Sequence, residues 1–251
     1  MLEKFIDPRE NSLTATVFSH LLHLPADVFW QILRKACLTN SLPPCPGEPT
    51  AINYWPKWNP SGTGNDRYVE PDVFLRFAEF DLIIEAKRWD ARMQDRNQWL
   101  RELQAYTNEY GEENCPVRLI ALGGVDNHGE PDDELRGMWS PVSVKRADDG
   151  ATTTLPIVCP VHACRWDCLL AECQRMEKAL AKLPLASFQT GAHRRILADL
   201  IDLFAGHGFP TGQWFEDVVQ EHPRFGSTMQ SYHLTFSTLS SRFQSHEFLE
   251  S

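Results

Sequence analysis

Three residues of the chain have types and spacing suited to chemistry on a phosphate. Asp72 lies in the stretch YVEPDVFLRF, and Glu85 and Lys87 close the stretch FDLIIEAK. Both stretches read as strands with only a few residues between them, so a hairpin is predicted. A turn centred on Ala78–Glu79 sets Phe77 opposite Phe80 and Asp72 opposite Glu85. Two carboxylates directly across an antiparallel ladder repel each other and destabilise the sheet. A divalent cation compensates, and carboxylate oxygens suit a hard ion such as Mg²⁺. Side chains alternate along a strand, so Glu85 and Lys87 share a face while Ala86 points away. Two acids and an amine thus converge. A metal held by the acids would lower the pKa of a bound water and offset charge on a phosphate. Lys87 would orient that water or stabilise the developing negative charge.

The elements that must position these residues follow from the pattern around them. DPRENSLTATVFSHLLHL opens with helix-start grammar: Asp7 is a cap, Pro8 suits the first helical position, and Glu10 stands three after the cap. Leu13, Val17, Leu21 and Leu24 form its apolar stripe, and a second helix after Pro25 turns Val28, Phe29, Ile32, Leu33 and Ala36 inward. AINYWPKW reads as a strand with a bend at Pro56. The hairpin strands are expected over Tyr68–Phe77 and Asp81–Lys87, and a helix over Arg92–Tyr110 with Trp99, Leu103, Tyr106 and Tyr110 on one face. PVRLIALGG is a continuous apolar strand closed by glycines, the signature of burial on both faces. Residues 125–152 read as a long polar loop or insertion, and LPIVCP as one more edge strand. Helices are expected at 163–182, 190–206, 212–221 and 230–247. The fold class is therefore α/β, a mixed central sheet flanked by helices. The chain divides into a domain over 1–184 and a helical C-terminal portion over 185–251.

Composition narrows the function classes. The chain has 251 residues, enough for a sizeable core without disulfides or metals. No apolar run approaches the roughly 18 residues of a membrane span, and MLEKFIDPRENS lacks the basic start and apolar middle of a signal peptide. Both features predict a cytoplasmic protein away from membranes. Its seven cysteines are then expected as free thiols or ligands. A net charge of −10 argues against a nonspecific coat of nucleic acid and restricts any such binding to a local groove.

Pro71-Asp72, twelve intervening residues, then Glu85-Ala86-Lys87 resembles the PD-(D/E)xK signature of the restriction-endonuclease-like nuclease superfamily. The element order is similar to that superfamily's core of helix, three-stranded meander, helix and strand. The resemblance covers residues 7–124, or to 182 at its widest, and leaves out the last stretch of the chain. It implies a Mg²⁺-dependent nuclease, with Mn²⁺ as substitute, that hydrolyses phosphodiester bonds in DNA. Such proteins serve bacterial antiviral defence or DNA repair. It further implies that Asp72 and Glu85 hold the metal with the Ala86 carbonyl, that Lys87 is the catalytic lysine, that Glu10 on the first helix is a further ligand, and that Gln98, or less closely Gln94, is the glutamine after the lysine. Pro131-Asp132 repeats the first half of the motif, but no apolar strand with Glu-x-Lys follows it. A second reading stays open: a nuclease-like fold without catalysis, serving as a binding subunit for nucleic acid or protein.

Several residues carry two readings each. Glu10 completes a capping box as well as it would complete a metal site. Arg88, Arg92 and Arg96 recur every four residues, a positive stripe for DNA phosphates or a solvated helix face. Cys159, His162, Cys164, Cys168 and Cys173 are zinc-ligand types whose spacing matches no common zinc module, so core packing is the alternative. His193, Arg194 and Arg195 start a helix and face nucleic acid, a partner or solvent. Trp55, Trp58 and Trp89 fall near the groove, where they stack on bases or simply pack. With no P-loop motif of its own, the chain is expected to take its targeting from a protein partner or a second copy.

Overall fold

The computed structural model describes residues 10–38, 42–88, 94–125, 140–144, 156–182 and 188–212. Contacts divide the chain into a compact unit over Met1–Thr211 and a second over Gly212–Ser251. The helices expected at 212–221 and 230–247 lie outside the described residues, as do Asp7 and the side chain of Glu10.

A five-stranded sheet organises the first unit. β1 (Ala51–Tyr54), β2 (Val73–Arg76) and β3 (Asp81–Ala86) form an antiparallel meander. β4 (Val117–Leu122) then pairs parallel to β3, and β7 (Val161–Cys164) parallel to β4. A separate two-stranded ladder joins β5 (Val142–Val144) to β6 (Ile157–Cys159). The helices are α1 (Glu10–Leu21), α2 (Ala26–Ala36), α3 (Arg96–Tyr110), α4 (Trp166–Ala181) and α5 (Phe188–Gly206). Among the described residues no helix is long and apolar enough to cross a membrane.

Both faces of the sheet are covered, which is why β3 and β4 are apolar without interruption. Leu82, Ile84, Ala86, Ile120 and Leu122 enter one core with α1, α2, α4 and α5. Ile83, Leu119 and Ala121 enter the other, under Trp99, Leu103 and Tyr106 of α3. The α/β class and the flanked mixed sheet agree with the sequence reading.

Three expectations need correction. The helix expected from Arg92 starts at Arg96, because the Asp95 side chain caps it by accepting from the Asn97 N–H at 2.8 Å. The stretch read wholly as a polar loop contains β5. LPIVCP does not end the sheet: Pro160 separates β6 from β7, and the strand runs on to Cys164, so the helix expected near 163 begins at Trp166. Burial explains that override, since all four β7 residues are enclosed between β4 and the segment of Leu38, whose N–H donates to the Ala163 carbonyl. The first compact unit runs to Thr211. α5 supplies Leu197, Leu200 and Phe204 to the core that α1 and α2 share, and Phe204 meets Trp166 edge-on at 6.2 Å. Phe204→Ala should therefore cost about 3–5 kcal/mol in denaturant unfolding followed by circular dichroism. A loss below about 1 kcal/mol would show that α5 is not part of this core.

Candidate active site

The hairpin has the register that the sequence predicts. Val73 pairs with Ile84 and Arg76 with Asp81, and the Phe77 N–H donates to the Phe80 carbonyl at 3.0 Å. One step beyond the ladder, Asp72 therefore faces Glu85. The ladder's end leaves the N–H of Ala86 without a strand partner, and a buried N–H must find one. Asp72 Oδ2 accepts it at 2.8 Å. Asp72 Oδ1 accepts the Trp55 indole N–H at 3.2 Å, so both carboxylate oxygens are held.

Glu85 is 2% exposed and draws donors from two directions. The Gln98 amide on the first turn of α3 donates to Oε1 at 2.6 Å, and the Lys87 ammonium forms an ion pair with the same oxygen. The Ala86 side chain lies in the opposite core.

Lys87 is fixed from behind. Its carbonyl accepts the Trp166 indole N–H at 2.7 Å, and its own N–H donates to the Leu122 carbonyl at 2.7 Å. The glycines that close β4 make room for this. A Cβ on Gly123, whose φ is +68°, would stand 2.0 Å from the Lys87 carbonyl oxygen and 2.6 Å from the Trp166 indole nitrogen. Only glycine tolerates that approach in that backbone conformation. Gln94 clamps the junction: its amide donates to the Gly123 carbonyl at 3.0 Å and to the Glu85 carbonyl at 3.3 Å, while its oxygen accepts the Trp99 indole N–H at 3.0 Å. Gln98 thus reaches the acid and Gln94 holds the backbone beneath it.

A third acid, missed in the sequence, completes the cluster. Glu102 on α3 is 1% exposed and neither of its oxygens meets a donor. Burial, first, and the adjacent Glu85 carboxylate, second, hold its carboxyl well above the ordinary range; Asp72 adds to this and Lys87 opposes it. A protonated Glu102 is itself the donor toward Glu85, and two bare carboxylates would only repel. The signal was present in the sequence. Glu102 stands three after Trp99 and four before Tyr106, so an acid sits inside the apolar stripe.

The other end of the same sheet face gives the contrast. There Asp81 accepts Arg76 Nε at 3.0 Å and the Tyr106 hydroxyl at 2.8 Å, and Arg76 also pairs with Glu113. That cluster balances its buried acid with a guanidinium and a phenol, and needs nothing more. The Asp72, Glu85 and Glu102 end gathers three carboxyl groups, with the Lys87 ammonium on Glu85. Among the described residues no cluster of three or more His, Cys, Asp or Glu side chains has a metal-ligand arrangement. A site of two carboxylates and a main-chain carbonyl does not require one, and a protonated Glu102 is no ligand.

The remaining candidates fall in different places. Arg88 follows Lys87 outside any helix, and Arg92 and Trp89 lie outside the described residues. Arg96 begins α3 and donates to the Ser140 and Pro141 carbonyls at 2.7 and 2.9 Å. The four-residue recurrence is therefore not one helix face. Trp58 packs edge-on against Phe74 at 5.1 Å. Arg194 pairs with Glu177 of α4. Cys159 lies in the core under α3, and Cys164 and Cys173 lie in the core on the other side of the sheet, so they do not meet around one ion.

No family model matches the chain, and no solved structure matches it. It is similar to an uncharacterized protein of Pasteurella multocida (strain Pm70), with 36% identity over 121 residues, 47% of this chain and 44% of the relative. The match thus spans less than half the length of that curated relative. Its name states no activity.

Glu102 makes the protein's stability depend on pH. Its folded pKa is raised, so above the unfolded carboxylate value of about 4.3 the native state binds the extra proton. Stability falls as pH rises from there through the folded value. Glu102→Gln keeps the shape and the neutral charge, and should remove that fall. Melting at pH 8 should rise by about 2–4 °C for each kcal/mol recovered, with no gain near pH 4. Parallel melting curves for the two proteins across pH would contradict this.

Proposed function

We propose that the chain is a Mg²⁺-dependent nuclease of the PD-(D/E)xK type that hydrolyses phosphodiester bonds in DNA. One observation carries the reading: Asp72 and Glu85 face each other, buried, at the end of the β2–β3 ladder, with Lys87 paired to Glu85. The all-oxygen donor set of Asp72 and Glu85, two buried carboxylates facing each other, fits a hard divalent cation. Asp72, Glu85 and the Ala86 carbonyl would hold it, with Mn²⁺ as a substitute. When bound, it supplies a water of lowered pKa and charge compensation at the phosphoryl oxygens.

The chain's own residues do the rest. Gln98 keeps Glu85 aimed at the site. Lys87, braced by Trp166 and the glycine pair, presents its ammonium beside Glu85, within reach of an attacking water and of developing negative charge. Arg88, next in sequence after Lys87, supplies a phosphate contact. With Arg96 committed to backbone carbonyls and the chain at −10 overall, DNA affinity is local and strongly salt-dependent.

A second reading, a nuclease-like fold that binds without cutting, is favoured by one observation: both Asp72 oxygens and Glu85 Oε1 already hold donors from the chain itself. One assay separates the two. Wild-type protein should cut plasmid or linear duplex DNA in Mg²⁺ and stop in EDTA. Asp72→Asn and Lys87→Ala should each lower the rate about 10²-fold or more in protein that circular dichroism shows to be folded at the assay temperature. Cleavage by either variant at the wild-type rate would sink the nuclease reading.

A further inference from the structure

Trp55 adopts a backbone conformation that nothing in its own chemistry favours. It follows β1 with φ +49°, in the left-handed region, where a bulky side chain is a genuine outlier. It also precedes Pro56, and a residue before proline ordinarily takes extended backbone. The turn could be made by glycine without strain, as Gly62 and Gly64 do a few residues later at φ +77° and +81°. A conformation of this kind persists only when its surroundings over-determine it, and such outliers cluster at functional sites.

The surroundings here are one residue. The Trp55 N–H donates to the Asp72 carbonyl at 3.1 Å, and its indole N–H donates to Asp72 Oδ1 at 3.2 Å. Backbone and side chain of Trp55 therefore grip backbone and side chain of Asp72. The other carboxylate oxygen takes the Ala86 N–H at 2.8 Å. Two donors, one from β3 and one from the turn after β1, each on its own oxygen, fix the carboxylate plane. Extended backbone at position 55 would carry the indole away from Asp72, so the strained turn is what brings the donor to the acid. The Tyr54 ring lies beside the indole, with centroids 5.9 Å apart.

We infer that Trp55 is a positioning residue: its indole holds the Asp72 carboxylate in the orientation in which it binds the divalent cation. The inference rests on the nuclease reading for the cation and adds a residue to it. Partners that orient a ligating carboxylate change metal affinity about 10–100-fold when removed.

Calorimetric titration of Mn²⁺ into wild type, Asp72→Ala, Trp55→Phe and Trp55→Gly tests it, with thermal melts of each. Trp55→Phe keeps a ring and loses the donor. Trp55→Gly loses the ring and relaxes the backbone, so it folds even if the first variant does not. Both should weaken Mn²⁺ binding about tenfold or more, while melting of Trp55→Gly stays at or near the wild-type value. A folded variant of either kind that binds Mn²⁺ as tightly as wild type overturns the role. Failure of the nuclease reading looks different: wild type would bind no Mn²⁺, or Asp72→Ala would bind it undiminished. Loss in Asp72→Ala together with wild-type binding in Trp55→Phe refutes Trp55 alone.

Discussion

An antiparallel ladder decides which residues face each other, and this one sets Asp72 against Glu85. Every other feature of the site answers that placement. The pair cannot be moved apart without shifting the register, and a one-residue shift would turn Ile83 and Phe74 out of the α3 core and Leu82 and Leu75 out of the other. The apolar packing of two layers thus holds two like charges together. Donors reduce the repulsion: the Ala86 N–H and the Trp55 indole on Asp72, and the Gln98 amide and the Lys87 ammonium on Glu85. Glu102 keeps its proton in the same place.

The sheet changes from antiparallel to parallel at β3, and that change supplies the site's walls. β2 brings Asp72 from one side. On the other, β4 ends in the glycine pair against which the Lys87 backbone lies, and Gln94, just before α3, and Gln98, in its first turn, come close by. α4 opens with Trp166, whose indole fixes the Lys87 carbonyl. Residues from four elements meet at the C-terminal end of β3, while the opposite end closes on a self-sufficient Arg76–Asp81–Tyr106 network.

The site's skeleton was legible because it depends on local rules. The turn between Phe77 and Phe80 fixed the register, strand alternation put Ala86 in the far core, and the continuous apolar runs of β3 and β4 announced burial on both faces. What was hidden depends on residues distant in sequence. Gln94 looked like a poorer match than Gln98 because its partners, carbonyls of Glu85 and Gly123, come together only when β3 and β4 pair. Gly123 and Gly124 read as a strand ending, and their closeness to Lys87 appears only in three dimensions. The run from Val161 to Cys164 has weak local preference, and its burial beside β4 makes it a strand. Glu102 was readable and was overlooked, since the periodicity of its aromatic neighbours drew attention to them alone.

The central claim is that the Asp72 and Glu85 carboxylates share a divalent cation. Crystals soaked in Mn²⁺ and measured for anomalous scattering address it directly. The account predicts a peak between the two carboxylates, beside the Ala86 carbonyl, and its loss in Asp72→Ala crystals. Fully soaked wild-type crystals with no peak there would contradict it.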